Sequence, residues 1–269
     1  MTRRGPTKRL LVLLPLVAAA LLYASASGAI VNGQADGDLH PNVGQMTFGS
    51  GANAHSCSGS LIAPQVFLTA AHCTALAASL GIAKVSVSFD SQVTPSSKVI
   101  QGTYVTDPDY NDYSGAGGNS DPHDLAVVLL DRPVRGVTPA QLPPARILDS
   151  YPNLSNQTFT AVGYGATHDS STSGSKSVSS GGGTRRYASQ SFQSLQQVFL
   201  TLTENPSKDS GGACNGDSGG PHFLGGTASN LEVSITIEGD TYCRSTDKTY
   251  RLDTASARGF LGQYVSLAS

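Results

Sequence analysis

Cys214-Asn215-Gly216-Asp217-Ser218-Gly219-Gly220-Pro221 sets one serine hydroxyl among three glycines, directly after an aspartate. A serine hydroxyl is a weak nucleophile until a base takes its proton. It also needs N–H donors aimed at the oxygen that becomes negative when a carbonyl is attacked. Glycine allows the tight turn and lets the backbone come close to a bound molecule. The octet therefore predicts a nucleophile turn, and it sends the search upstream for a base and a carboxylate.

Leu68-Thr69-Ala70-Ala71-His72-Cys73 supplies the base: a histidine beside a cysteine, on a turn after an apolar strand. Asp124-Leu125-Ala126-Val127-Val128-Leu129-Leu130 supplies the carboxylate, at the mouth of a strand apolar enough to be buried. A carboxylate there can fix the imidazole tautomer and stabilise the imidazolium.

In the order His, Asp, Ser, these segments resemble the chymotrypsin-like serine proteases. Further matches extend over nearly the whole chain after residue 29. Ile30-Val31-Asn32-Gly33 is similar to that family's mature N-terminus, and His55-Ser56-Cys57-Ser58-Gly59-Ser60-Leu61-Ile62 to the strand leading to the histidine. Gly163-Tyr164-Gly165 is similar to the turn opening the second barrel, and Tyr250-Arg251-Leu252 to the strand before the final helix.

The resemblance implies a protein- or peptide-cleaving serine endopeptidase with His72, Asp124 and Ser218 as its triad. It implies an oxyanion hole from the backbone N–H groups of Gly216 and Ser218. It implies that Asp217 pairs with the α-ammonium of Ile30 once the chain is cut after Ala29. A catalytically inactive homologue that binds partners, or an enzyme acting mainly on esters, are the rival readings.

The specificity pocket is expected at Gly212, Ala213, Glu238, Gly239 and Lys248. Gly212 stands where an acidic floor would select Arg or Lys, so that preference loses its warrant. Lys248 leaves two readings open: turned inward it favours an acidic P1 residue, turned to solvent it leaves a neutral pocket for small or apolar ones.

Arg3, Arg4, Lys8 and Arg9 precede an apolar run, Leu10 to Leu22, and then Ala24-Ser25-Ala26-Ser27-Gly28-Ala29. Basic, apolar and small-residue regions in that order predict a secretory signal peptide over residues 1–29, with room for a very short propeptide. About 13 apolar residues, broken by Pro15, fall short of the roughly 20 that span a bilayer, so no stable membrane anchor is expected. A secreted chain meets oxidising conditions, which favours disulfides among Cys57, Cys73, Cys214 and Cys243. Four thiols allow three pairings; closeness in sequence favours Cys57–Cys73 and Cys214–Cys243.

A net charge of -2 with no basic cluster in the body of the chain excludes a nucleic-acid footprint. No metal or other cofactor is expected, and the chain is expected to be a monomer. Short segments rich in Val, Ile, Leu, Thr and Phe alternate with Gly, Pro, Asn and Ser, which predicts an all-β body. Strands are expected over 60–68, 85–89, 125–130, 158–162, 197–202 and 231–237, with short helices over 70–77 and after Thr254. Residues 112–120 and 168–183 read as loops. The expected architecture is two antiparallel six-stranded β-barrels, over residues 30–140 and 141–253, with a short C-terminal helix ending at 269. No internal repeat is visible in the sequence.

Overall fold

The structure, a computed structural model, describes residues 1, 30, 32–112, 121–168, 178–179, 183–205, 210–239 and 243–268. The signal-peptide stretch after Met1, Val31 and most of the two predicted loops lie outside the described residues.

Twelve strands, numbered here in chain order, close two barrels. The first contains β1 (Val43–Phe48), β2 (His55–Ala63), β3 (Val66–Thr69), β4 (Val85–Ser88), β5 (Ile100–Thr106) and β6 (Ala126–Leu130). They pair in the order β1-β2-β3-β6-β5-β4, and β4 returns to β1. The second contains β7 (Thr158–Gly163), β8 (Arg186–Leu195), β9 (Phe199–Thr203), β10 (Pro221–Leu224), β11 (Glu232–Gly239) and β12 (Thr246–Arg251). Their order is β7-β8-β9-β12-β11-β10, closed by β10 on β7. The two orders are the same with every index raised by six, so a repeat absent from the sequence is present in the topology. Closure removes the exposed strand edges that an open sheet would leave.

Three expectations need correction. Residues 60–68 are not one strand but the end of β2, a turn through Pro64 and Gln65, and β3. Pro64 has no N–H to give to a ladder, so the chain turns there. The expected strand over 197–202 starts at Phe199, and four strands went unpredicted: β1, β5, β8 and β10.

Two helices follow the sequence closely, and a further single turn, Ile147–Ser150, was not expected. α1 (Ala71–Ser79) leaves β3, and α2 (Ala255–Leu261) starts at Thr254, whose hydroxyl accepts from the Ala257 N–H at 3.2 Å. That capping bond satisfies one of the donors a helix start leaves unpaired. Among the described residues no helix is long and apolar enough to cross a membrane.

The connector between the barrels divides its bonds between them. Ala140 N–H donates to Leu61 of the first barrel, while Gln141 N–H donates to Asn230 and Gln141 C=O accepts from Glu232 in the second. A buried clamp also ties the chain's start to both. Asp36 accepts from the His40 N–H and from Arg185 Nε at 2.8 Å, while its other oxygen meets His40 Nδ1. Arg185, 1% exposed, donates onward to the carbonyls of Gly37, Val43 and Phe89. Burial opposes the charge on Asp36, but the His40 and Arg185 hydrogen bonds win and hold its carboxyl below its ordinary value.

Candidate active site

His72 occupies the second position of α1, whose N-terminal residue Ala70 offers no side-chain cap. The fully buried Asp124 does that work from the end of the segment entering β6. One carboxylate oxygen accepts the His72 backbone N–H at 2.9 Å, and the other meets His72 Nδ1 at 2.9 Å. An ionised carboxylate only accepts, so Nδ1 carries the proton and Nε2 keeps its lone pair, which is what a general base requires. The ring is 31% exposed and can meet a substrate.

Ser218 lies on the turn before β10. Its carbonyl accepts the Ser58 N–H of β2 at 2.9 Å, and the Gly219 N–H reaches Thr236 of β11 at 2.7 Å. The turn is thus bonded to both barrels. Gly219 has φ +80°, and a Cβ there would stand 2.6 Å from the Ala70 nitrogen and 2.6 Å from the Ser58 oxygen. Only glycine lets the serine turn come this close to the start of α1. Gly216, at φ +97°, has its carbonyl held by Ser58 Oγ at 3.0 Å, and that oxygen also accepts the Tyr164 N–H.

Asp217 is 1% exposed. Its oxygens accept the Gly165 N–H at 2.7 Å and the Cys214 N–H at 2.9 Å. Burial pushes its carboxyl up to about 7; the two backbone bonds oppose that rise, and the charge of Asp247 adds to it. Ile30 is buried against Ala161 of β7 and Ala188 of β8. The cysteines pair as Cys57–Cys73 and Cys214–Cys243, which anchors α1 to β2 and the serine turn to the residues before β12.

A cavity of about 170 Å³ opens beside Ser218. Ala213, Glu238 and Gly239 line it, and so do Thr236, Ile237 and Cys243. Two expected residues are absent from the lining. Gly212 stands behind the wall, where its missing side chain leaves room for the buried Glu204: a Cβ would fall 2.5 Å from a Glu204 carboxylate oxygen. Lys248 points out of the barrel, its ammonium 4.3 Å from the centre of the Phe199 ring and 3.2 Å from a Glu238 oxygen. No motif marked Glu204. Asp247 and Thr249 on either side of Lys248 are buried, which sets Lys248 on the opposite face of the strand.

As to metals, Cys57 and Cys73 spend their thiols on the disulfide beside His72. Asp107, Asp109 and His123 bring ligand atoms within 4.8 Å of one another. Asp107 there accepts the Asp109 N–H and faces His123 Nδ1 at 3.5 Å, so the cluster already answers its own charges in part.

The model of one protein family, described as Trypsin, matches residues 30–255. The chain belongs to the trypsin family. This trypsin-family chain is 29% identical over 210 residues to a chymotrypsin from Phaedon cochleariae, across 75% of its own length and 69% of that relative's. Its fold is that of HL collagenase, at a TM-score of 0.63 and 18% identity over 90% of this chain and 99% of the other. GrC gives the same TM-score and identity over 87% and 98%. The family membership makes the chain a serine-type endopeptidase, a hydrolase of peptide bonds with protein substrates.

Proposed function

We propose that this endopeptidase is secreted and works through an acyl-enzyme on Ser218, with His72 as general base and Asp124 as its orienting carboxylate. The observation that carries the reading is the two-point hold of Asp124 on His72, through both the backbone N–H and Nδ1. Ser218 attacks the scissile carbonyl as His72 Nε2 takes its proton. The N–H groups of Gly216 and Ser218 receive the oxyanion, and His72 then returns the proton to the leaving amine. Water repeats the sequence to release the acid. With Lys248 outside the lining and paired to Glu238 at its wall, and Ala213, Thr236 and Ile237 around the cavity, the reading for P1 is a small or apolar residue.

Activation belongs to the same proposal. Asp217 is a buried carboxylate whose hydrogen bonds come from two backbone N–H groups, and a buried charge of this kind gains most from an opposite charge. Cleavage after Ala29 would supply one as the Ile30 ammonium. The two disulfides are compatible with export.

The test is digestion of a mixed peptide library by protein beginning at Ile30. Ser218→Ala is expected to lower turnover at least about 10³-fold, and the product ends report P1. Equal cleavage by both proteins would sink the mechanism, and N-terminal sequencing of active protein that began anywhere but Ile30 would sink the activation step.

A further inference from the structure

A second cavity, of about 470 Å³, lies on the first barrel, between the connection from β4 to β5 and the turn that leaves β6. It shares no lining residue with the cavity beside Ser218. Its floor is apolar: Phe89, Ile100 and Val134 line it and also pack against the core, so their positions are fixed from below. Its rim is basic, with Lys98, Arg132 and Arg135 all exposed against the single carboxylate of Asp90. That carboxylate is engaged by the Lys98 backbone N–H at 3.2 Å, and Arg132 reaches only the Val99 carbonyl, at 3.3 Å.

Three cations against the one carboxylate of Asp90 leave an excess of positive charge at this opening, in a chain whose net charge is -2, and an anion is drawn to it. Arginine favours planar carboxylates, which it can grip with two parallel bonds. An apolar floor asks for something else, a hydrophobic side chain. Few ligands satisfy both demands at this volume, which lies in the ordinary range for binding sites.

We propose that this cavity is an exosite for an acidic segment of the protein substrate. One apolar or aromatic side chain rests on Phe89, Ile100 and Val134, and neighbouring carboxylates meet Lys98, Arg132 and Arg135. The identity of the occupant rests on the endopeptidase reading, because that activity brings polypeptide to this surface. A chain held in the active-site cleft presents its other segments at high effective concentration, so even a weak second contact selects substrates.

The experiment measures anisotropy of a fluorescein-labelled peptide of alternating Glu and Phe, titrated with the Ser218→Ala protein. A peptide with Lys in place of Glu serves as the comparison. The acidic peptide is expected to bind, more weakly as salt rises, and the basic one not to bind. Arg132→Glu with Arg135→Glu is expected to weaken binding at least tenfold, while Lys84→Ala, outside the cavity, leaves it unchanged. In the active enzyme the same double variant is expected to raise KM for an acidic protein such as casein and to leave kcat/KM for a short uncharged peptide unaltered. Equal affinity for both peptides, or for parent and charge-reversed protein, overturns the proposal. Full displacement of the peptide by equimolar octanoate also overturns it, in favour of a small-anion site. Peptide binding is read without turnover, so binding with no proteolysis in the parent would support the site while counting against the endopeptidase reading alone.

Discussion

The two barrels share one strand order and differ in what fills them. In the first, Val43, Met46, Leu61, Phe67, Leu68, Val87, Val127 and Val128 are all fully buried, and none of the side chains on β1–β6 leaves a buried polar atom without a partner. In the second, His222, Asp247 and Glu232 are fully buried too. Asp247 accepts from Gln190 Nε2 at 2.9 Å and meets His222 Nε2 at 2.8 Å. His222 Nδ1, Asp247 Oδ1 and Gln190 Oε1 have no hydrogen-bond partner among the described residues. One topology therefore tolerates two interiors. Backbone pairing and in–out alternation carry the fold, while interior chemistry decides how it responds to pH and to mutation.

The sharpest way to break this contrast is truncation inside each barrel. Phe67→Ala is expected to cost about 3–5 kcal/mol through lost transfer energy and a cavity. Asp247→Ala is expected to cost about as much by another route, because it strands the His222 and Gln190 donors without water. Urea denaturation reads both. Replacing His222 and Asp247 together by Leu is expected to recover most of the loss; a double variant no better than Asp247→Ala would mean that packing, not polarity, is at stake.

Acidity separates the barrels with a smaller effect. Burial pushes the Glu232 carboxyl up to about 8, against the opposing hydrogen bond from Ser60. Its folded value lies above the unfolded one, so its stabilising neutral form is fully present below about pH 4.5 and lost as pH rises through about 8. Glu232→Gln is expected to change little at pH 4 and to raise stability by about 2–4 kcal/mol at pH 9 relative to the parent. The loss from Phe67→Ala is expected to be the same at both pH values. A Glu232→Gln profile parallel to the parent's would remove the acid from the account.

The smallest effect belongs to the surface. Lys84 and Asp131 approach to 2.7 Å, but both are about half exposed. Lys84→Ala is expected to cost under about 0.5 kcal/mol by the same denaturation measurement.

The serine turn, the start of α1 and the start of α2 rest on local patterns that the sequence carries: glycines around Ser218, an apolar strand before His72, a capping Thr254. The strand β8 does not. Its sequence, Arg186-Tyr187-Ala188-Ser189-Gln190-Ser191-Phe192-Gln193-Ser194-Leu195, turns Ala188 and Gln190 inward, so apolar alternation never appears. The same polar interior hid the repeat between the barrels. In the wall of the Ser218 cavity, Ala213 stands beside the serine motif, while Glu238 and Gly239 were placed only by the resemblance. Glu204 packs against Gly212, eight residues on, and no motif in the chain announces that contact.

The clamp of Asp36, His40 and Arg185 has a consequence for how far the chain's beginning can stray. The short strand Gln34–Ala35 pairs with Tyr187 and Arg186, and the Gly33 N–H already donates to the Ile30 carbonyl. An end created before Ile30 would hang on a leash of about three residues, each spanning at most ~3.6 Å. Its search volume would be a sphere hardly larger than the leash itself, so capture by a site in reach competes with dilution as an intramolecular event and is independent of protein concentration.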